Sequence, residues 1–255
     1  MKYIRIFSLL LLFFVVAAQI VLPDAEIQLD HTFLPPGEGA LFGTTPLGQS
    51  VATLVVAGAG QTLGIAASAL VVSLFLSLAL AALSYLLPQK IARAYAYIID
   101  AWLAIPGIFV ALSIGYFLPQ SFFSVITALV LSEYAALQKF ILQRLQNVSR
   151  NDYITMAQVM GARRQHVFSW HVLPQLARES GYLFVLTMPS IVLSLASLEF
   201  LGVQTGASRL SLGMQIAVYK DYILLYPYLS LAPVLALLLL LFALNEAVKL
   251  VKTEN

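Results

Sequence analysis

Residues 152–174 read DYITMAQVMGARRQHVFSWHVLP, and this polar stretch stands between apolar runs long enough to cross a bilayer. It opens on Asn151 and Asp152, whose side-chain oxygens suit a helix N-cap. From there Tyr153, Met156, Ala157 and Met160 follow i, i+3, i+4, i+7 spacing and share one face. Gly161 takes positive φ readily and ends the helix. A second helical stretch from Ala162 carries Val167, Trp170 and Pro174 toward the membrane, and Pro174, with no N–H, bends or restarts the chain. The first helix is short, about 12 Å at 1.5 Å per residue. Its Tyr, Met and Ala face has two readings. It either rests on the lipid surface or under its own bundle, or docks against another protein, a use to which methionine is suited.

The sequence on either side decides the fold class. The chain has 255 residues, 60% hydrophobic and 10% charged, against about 25% charged in soluble domains, and its mean hydropathy is +0.89. A bilayer core of roughly 30 Å needs about 20 apolar residues as a helix. Six stretches qualify: Ile4 to Leu22, Leu63 to Leu87, Ile98 to Leu118, Phe122 to about Leu137, Tyr182 to Leu201, and Tyr228 to about Leu244. The first reads as an uncleaved anchor, its apolar run exceeding the usual 7–15 residues of a signal peptide. Residues 23 to 50 form a loop rich in Pro, Gly and acidic residues, and Val51 to Gly60 read as an interfacial lead-in. The expected fold is all-α and polytopic.

Basic residues orient it. With the N-terminus inside, all of the 14 Lys and Arg residues fall on the inner side except Arg209 and Lys220, as the positive-inside rule requires. The 152–174 stretch is then cytoplasmic, with both termini on the same side.

The order of residues adds a resemblance. Thr155-Met156-Ala157, Gly161 and His171-Val172-Leu173-Pro174 resemble the cytoplasmic signature loop of ATP-binding-cassette importer permeases, whose frame is Glu-Ala-Ala, three residues, Gly, nine residues, Ile-x-Leu-Pro. "LFGTTPLGQS" (41–50), "GAGQTLGI" (58–65), "IIDAWLAIPGIFVAL" (98–112), "LEFLGVQ" (198–204) and "SLG" (211–213) are similar, in order, to landmarks of the dipeptide, oligopeptide and nickel permeases. The chain departs from that pattern at several places. Thr155 and Met156 replace the loop's Glu and first Ala; Thr45, Gln49 and Ser50 stand where the family has Asp, Arg and Asp; Leu212 replaces a Trp.

The resemblance implies a divergent permease of the second type, with the six-helix fold of type I importers. It implies an anchor and extracytoplasmic loop over 1–57 and a permease domain over 58–255, with the coupling loop at about 138–180. Tyr153, Thr155, Met156, Ala157, Met160, Gly161, Leu173 and Pro174 would form the segment docking into an ATPase. The implied partners are a second permease, two ATPase subunits and an extracytoplasmic solute-binding protein, in the inner membrane of a bacterium. Peptides or nickel-type chelates are the implied cargo. The rival classes are a secondary transporter, which calls for inverted repeats and a midplane ion site, and an anchor subunit of another complex.

The remaining residues narrow the chemistry. There are no cysteines, so thiolate ligands and nucleophiles are excluded. His31, His166 and His171 do not cluster, and no phosphate-cradling Gly-x-x-x-x-Gly-Lys-Ser/Thr occurs; no catalytic, metal or cofactor site is expected. Pro106-Gly107 and Pro189 mark either bends that line a path or kinks packed against a neighbour. Asp100, Glu133 and Glu199 are ionisable residues in or near spans. Asp100 and Glu133 are expected near the inner end, within reach of Arg93 or Lys139, and Glu199 near the outer end.

Overall fold

The computed structural model describes residues 12, 15, 26–37, 40–207 and 209–254. Eight helices and no strand occur among them: α1 (Val51–Leu86), α2 (Gln89–Leu103), α3 (Gly107–Phe117), α4 (Phe122–Ser149), α5 (Asp152–Val159), α6 (Arg164–Phe200), α7 (Leu212–Tyr219) and α8 (Pro227–Glu254). Four of them, α1, α4, α6 and α8, are long and apolar enough to cross a membrane. The pair α2 and α3 qualifies together as a fifth span, bent by 84°. The expected first span, Ile4 to Leu22, lies outside the described residues except for Leu12 and Val15, which pack on the main core.

The long helices outrun the spans expected of them, because nothing in the flanking residues stops a helix where hydropathy falls. Val51 to Gly60 are not a lead-in but the first turns of α1, whose 36 residues reach about 54 Å. α4 continues through Lys139 and Arg144 to Ser149, and α6 starts at Arg164, well before Tyr182. The third expected span, Ile98 to Leu118, is no single helix. Pro106 has no N–H to continue α2 and disfavours helical geometry in the residue before it. Ala104 and Ile105 close with three-residue bonds to the Ala101 and Trp102 carbonyls, and the chain turns.

α1 lies at the centre, against α4 and α6. Ala59, Ala66, Ala69, Ser73, Ser77 and Ala81 form its buried stripe, and into it pack Val125, Ala128 and Leu129 of α4 and Ile191, Leu195 and Leu198 of α6. Lipid is as apolar as these side chains, so the helices are held by close van der Waals fit and not by removal from water.

Lys90, Arg93, Arg144, Arg150, Arg163, Arg164 and Arg178 gather at one end of the bundle, where α1 ends and α6 begins. At the opposite end the 26–50 loop folds on itself. Thr45, standing where the resembled family has Asp, accepts the Leu47 and Gln49 N–H groups at 3.3 and 3.2 Å; a hydroxyl thus holds the turn without a charge. Phe33 stacks on Tyr226 at 4.3 Å and ties the loop to the start of α8.

The short α7 is fastened under the same end. Its Leu212 N–H donates to Thr62 Oγ1 at 3.0 Å, and Gln215 Nε2 donates to the Leu54 carbonyl at 2.7 Å. Two glycines permit the approach: a Cβ on Gly58 would meet Gln215 Nε2 at 2.1 Å, and one on Gly213 would meet the Ala196 Cα at 2.6 Å. Buried Glu199 lies against Gly213, beside the N-cap Ser211.

These distances set an expectation for the purified protein. Gly213→Ala should destabilise it by about 1–3 kcal/mol through overpacking. Gly181→Ala, in α6 with nothing within 4 Å of the added Cβ, should stabilise it by up to about 1 kcal/mol. Denaturant unfolding followed by circular dichroism separates the two, and equal effects would refute the packing assigned to α7.

Candidate docking helix and the broken span

A tight turn sets α5 across the basic end of the bundle. The Arg150 and Asn151 N–H groups bond to the Asn147 and Val148 carbonyls, and Ile154 N–H bonds to the Asn151 carbonyl. Asp152 sits in the first turn, where the helix dipole favours an acid. At the other end Gly161 has φ +88°, and Ala162 N–H reaches back to the Ala157 carbonyl at 3.0 Å. That six-to-one bond with a left-handed glycine is a Schellman stop.

The faces of α5 differ from the expected ones. Ile154 is fully buried and Ala157 half-buried against the main core, so Ala157 faces the protein's own bundle and not the open side. The i, i+3 pair 154/157 is the inner stripe; periodicity alone did not say which apolar stripe would turn inward. Tyr153, Met156, Val159 and Met160 are exposed, Met160 by 82%. Val159 belongs to this surface though it was not singled out from the sequence. The side chain of Thr155 lies outside the described residues, its backbone within α5.

Contacts of α5 to α6, and of α6 to α1, make a continuous piece. Tyr153 Oη lies 3.4 Å from Gln175 Oε1, and its ring meets His171 edge-on at 6.1 Å. The Arg164 guanidinium lies 4.9 Å from the centre of the Tyr85 ring, which in turn packs on Phe168 at 5.1 Å. The start of α6 is thereby locked to the end of α1. Trp170, expected to point toward the membrane, is 70% exposed, while Val167 is buried.

Leu173 and Pro174 do not bend or restart the chain. Residues Phe168–Val172 form a π-turn, with Leu173 N–H bonded to the Phe168 carbonyl, and the helix runs through. The wider turn relieves the clash between the Pro174 ring and the preceding carbonyls. Pro189 likewise lies inside α6, which continues past it.

The broken span is the second feature. Gly107 starts α3 against α4 so closely that a Cβ would stand 3.0 Å from the Ser132 carbonyl oxygen. Beside the break is a cavity of about 300 Å³. Glu133, in its wall, accepts from Ser194 Oγ at 2.9 Å. It stands eleven residues along α4, about 17 Å from the helix start. Counted from Phe122 that lies within a roughly 30 Å core, about 9 Å before Lys139. Lys139 pairs with Asp100 at 2.6 Å, as proximity on neighbouring spans suggested; a half-exposed pair of this kind contributes about 0–1 kcal/mol. No group of three metal-ligating side chains occurs among the described residues.

The family described as "binding-protein-dependent transport system inner membrane component" matches residues 73–253. The chain is 27% identical to a protein of Brucella suis that carries the name of a peptide transport system permease, over 93% of this chain and 82% of the relative. Its counterpart in Brucella abortus matches equally. The di/tripeptide transport system permease protein DppC of Pseudomonas aeruginosa is 26% identical, over 94% of this chain and 82% of its own length.

The two stripes of α5 should respond differently to truncation. Ile154→Ala should destabilise the permease by about 2–5 kcal/mol, whereas Met156→Ala should stay within about 0.5 kcal/mol. Unfolding midpoints of the two variants check this, and the reverse order would refute the inward face assigned to Ile154.

Proposed function

Because this chain belongs to the family of binding-protein-dependent transport system inner membrane components, we propose that it is the second-type permease of an ATP-driven importer of peptides. It pairs with a second permease, receives cargo from an extracytoplasmic solute-binding protein and is driven by two ATPase subunits. The chain itself is no enzyme; ATP is hydrolysed in the separate ATPase chains. Both termini and the basic end of the bundle face the cytoplasm, and residues 1–57 serve as anchor and outer loop ahead of the permease domain. Peptide cargo is supported by the names of the relatives. The family membership favours this reading over a secondary transporter or a bare anchor subunit.

One observation carries the coupling role: an exposed apolar face of Tyr153, Met156, Val159 and Met160 on a short helix braced to α6, which is itself locked to α1. Methionines in water have little reason to stand together, and they adapt well to a partner's cleft. Closure of the ATPases would push α5, and the Tyr153, Arg164 and Phe168 contacts would pass the push to α6 and α1. Leu173 and Pro174 lie at the end of this path, where the coupling segment becomes the span.

Three outcomes are expected. Met156→Asp places an unpaired charge in the docking face and should weaken ATPase binding by about 2 kcal/mol or more, the size of an interface hot spot. The permease should stay folded, and unchanged co-purification would remove the docking role. Gly161→Val meets no neighbour within 4 Å, so its penalty is backbone strain alone, above the roughly 1 kcal/mol expected for Ala. Uptake per ATP hydrolysed should fall while the complex stays assembled; a preserved ratio means that the turn transmits nothing. Reporter fusions after Gln89, Arg150 and Val251 should read inside and those after His31 and Arg209 outside, an outside signal at Arg150 overturning the orientation.

A further inference from the structure

The break between α2 and α3 leaves Ala104, Ile105 and Pro106 exposed on the surface of the isolated chain. It lies against Ser132, ten residues into α4 and so within a roughly 30 Å membrane core. Non-helical backbone at that depth does not face lipid; it is tolerated only where protein covers it or water reaches it. This side of the permease therefore faces the second permease or the water-filled path between the two.

The cavity at the break has Trp102, Pro106, Gly107, Glu133, Ala136 and Ser194 in its wall. No Lys, Arg or His stands among its described lining residues. Lys139, the basic residue six positions on along α4, is held by Asp100 at 2.6 Å. The Ser194 hydroxyl donates to one oxygen of Glu133 at 2.9 Å, which orients the carboxyl group but supplies no charge. An ionisable side chain at bilayer depth is costly and persists where it meets a partner or marks a path. No described residue in the cavity wall offers Glu133 a positive charge, which leaves the place beside it open to a cation from elsewhere.

We propose that the cavity at the 104–106 break is a cation-binding station on the translocation path, where Glu133 receives the α-ammonium group of a peptide in transit. This rests on the peptide-importer reading above. The ammonium group has the charge that the carboxylate lacks and three N–H donors for its open lone pairs. The orphan carbonyls of the unwound segment offer further acceptors beside it. Ser194 acts as a positioning residue, holding the carboxylate toward the opening.

The absence of cysteine makes the test direct, since Ala136→Cys introduces the one thiol of the chain. The assembled complex, with its second permease, ATPases and binding protein, is treated in vesicles with a trimethylammonium-bearing and a sulfonate-bearing methanethiosulfonate. The cationic reagent reacts faster with any thiolate, itself an anion, so the bias is the rate ratio beyond that found with a free thiol in solution. It should be about tenfold, as expected for attraction by one nearby carboxylate. The bias should vanish with Glu133→Gln, which keeps an acceptor for Ser194, and return with Glu133→Asp. A dipeptide with a free amino terminus should slow the cationic reagent, and the same dipeptide N-acetylated should not. No labelling by either reagent, a bias that survives Glu133→Gln, or equal protection by both dipeptides would each overturn the proposal. Uptake of the free dipeptide by the unaltered complex is measured alongside. Its absence sinks the peptide reading itself, whereas normal uptake with no charge bias sinks only the role given to Glu133.

Discussion

Close approach of α1 to its neighbours is the interaction on which the rest of the bundle depends. In lipid no gain comes from hiding apolar surface, so helices associate only where their backbones come near enough for dense packing. The stripe Ala59, Ala66, Ala69, Ser73, Ser77 and Ala81 gives α4 and α6 that nearness along most of the membrane. Two hydroxyls of α1 are satisfied within the helix: Ser73 donates to the Ala69 carbonyl at 2.9 Å, and Thr62 donates to that of Gly58 at 2.8 Å. Thr62 then has a lone pair left for α7, which is how a helix 150 residues further along the chain is tied to the same stripe.

The landmarks that looked scattered in the sequence meet at this contact. Gly58, Thr62, Glu199, Ser211 and Gly213 come from three segments and converge where α7 crosses α1 and α6. Their identities follow from space and hydrogen bonding: two glycines where a methyl group would collide, a threonine that both donates and accepts, a serine that caps. Glu199, expected near the outer end, lies in the last turn of α6, under α7 and buried.

Hydropathy and basic-residue bias made the helical class and the location of the long helices legible, because the bilayer imposes both. Helix ends were not legible in the same way. Polar turns such as Lys139 to Ser149 cost nothing outside the membrane, so α4 keeps its hydrogen bonds beyond the apolar run. The break at Pro106 was flagged by residue type, yet its 84° bend depends on how Gly107 seats against Ser132, a tertiary fact. The same limit applies to α5. The Gly161 turn follows from local backbone chemistry, but the inward choice of Ile154 and Ala157 over Tyr153 and Met156 is made by the bundle beneath them.

The π-turn at Phe168–Val172 sets the rotational phase of the span that follows it. A turn with one residue too many advances everything after it by one angular step, about 100° at 3.6 residues per turn. The span from Leu173 onward and the segment that carries α5 therefore sit out of phase by that step, although they form one unbroken rod. Removing one residue from the turn would undo that step, but α5 is also tied to α4 by the turn at Arg150 and Asn151 and to the bundle by buried Ile154. The extra residue is thus a measured length of slack between two fixed anchors, and its loss would be felt as strain at both.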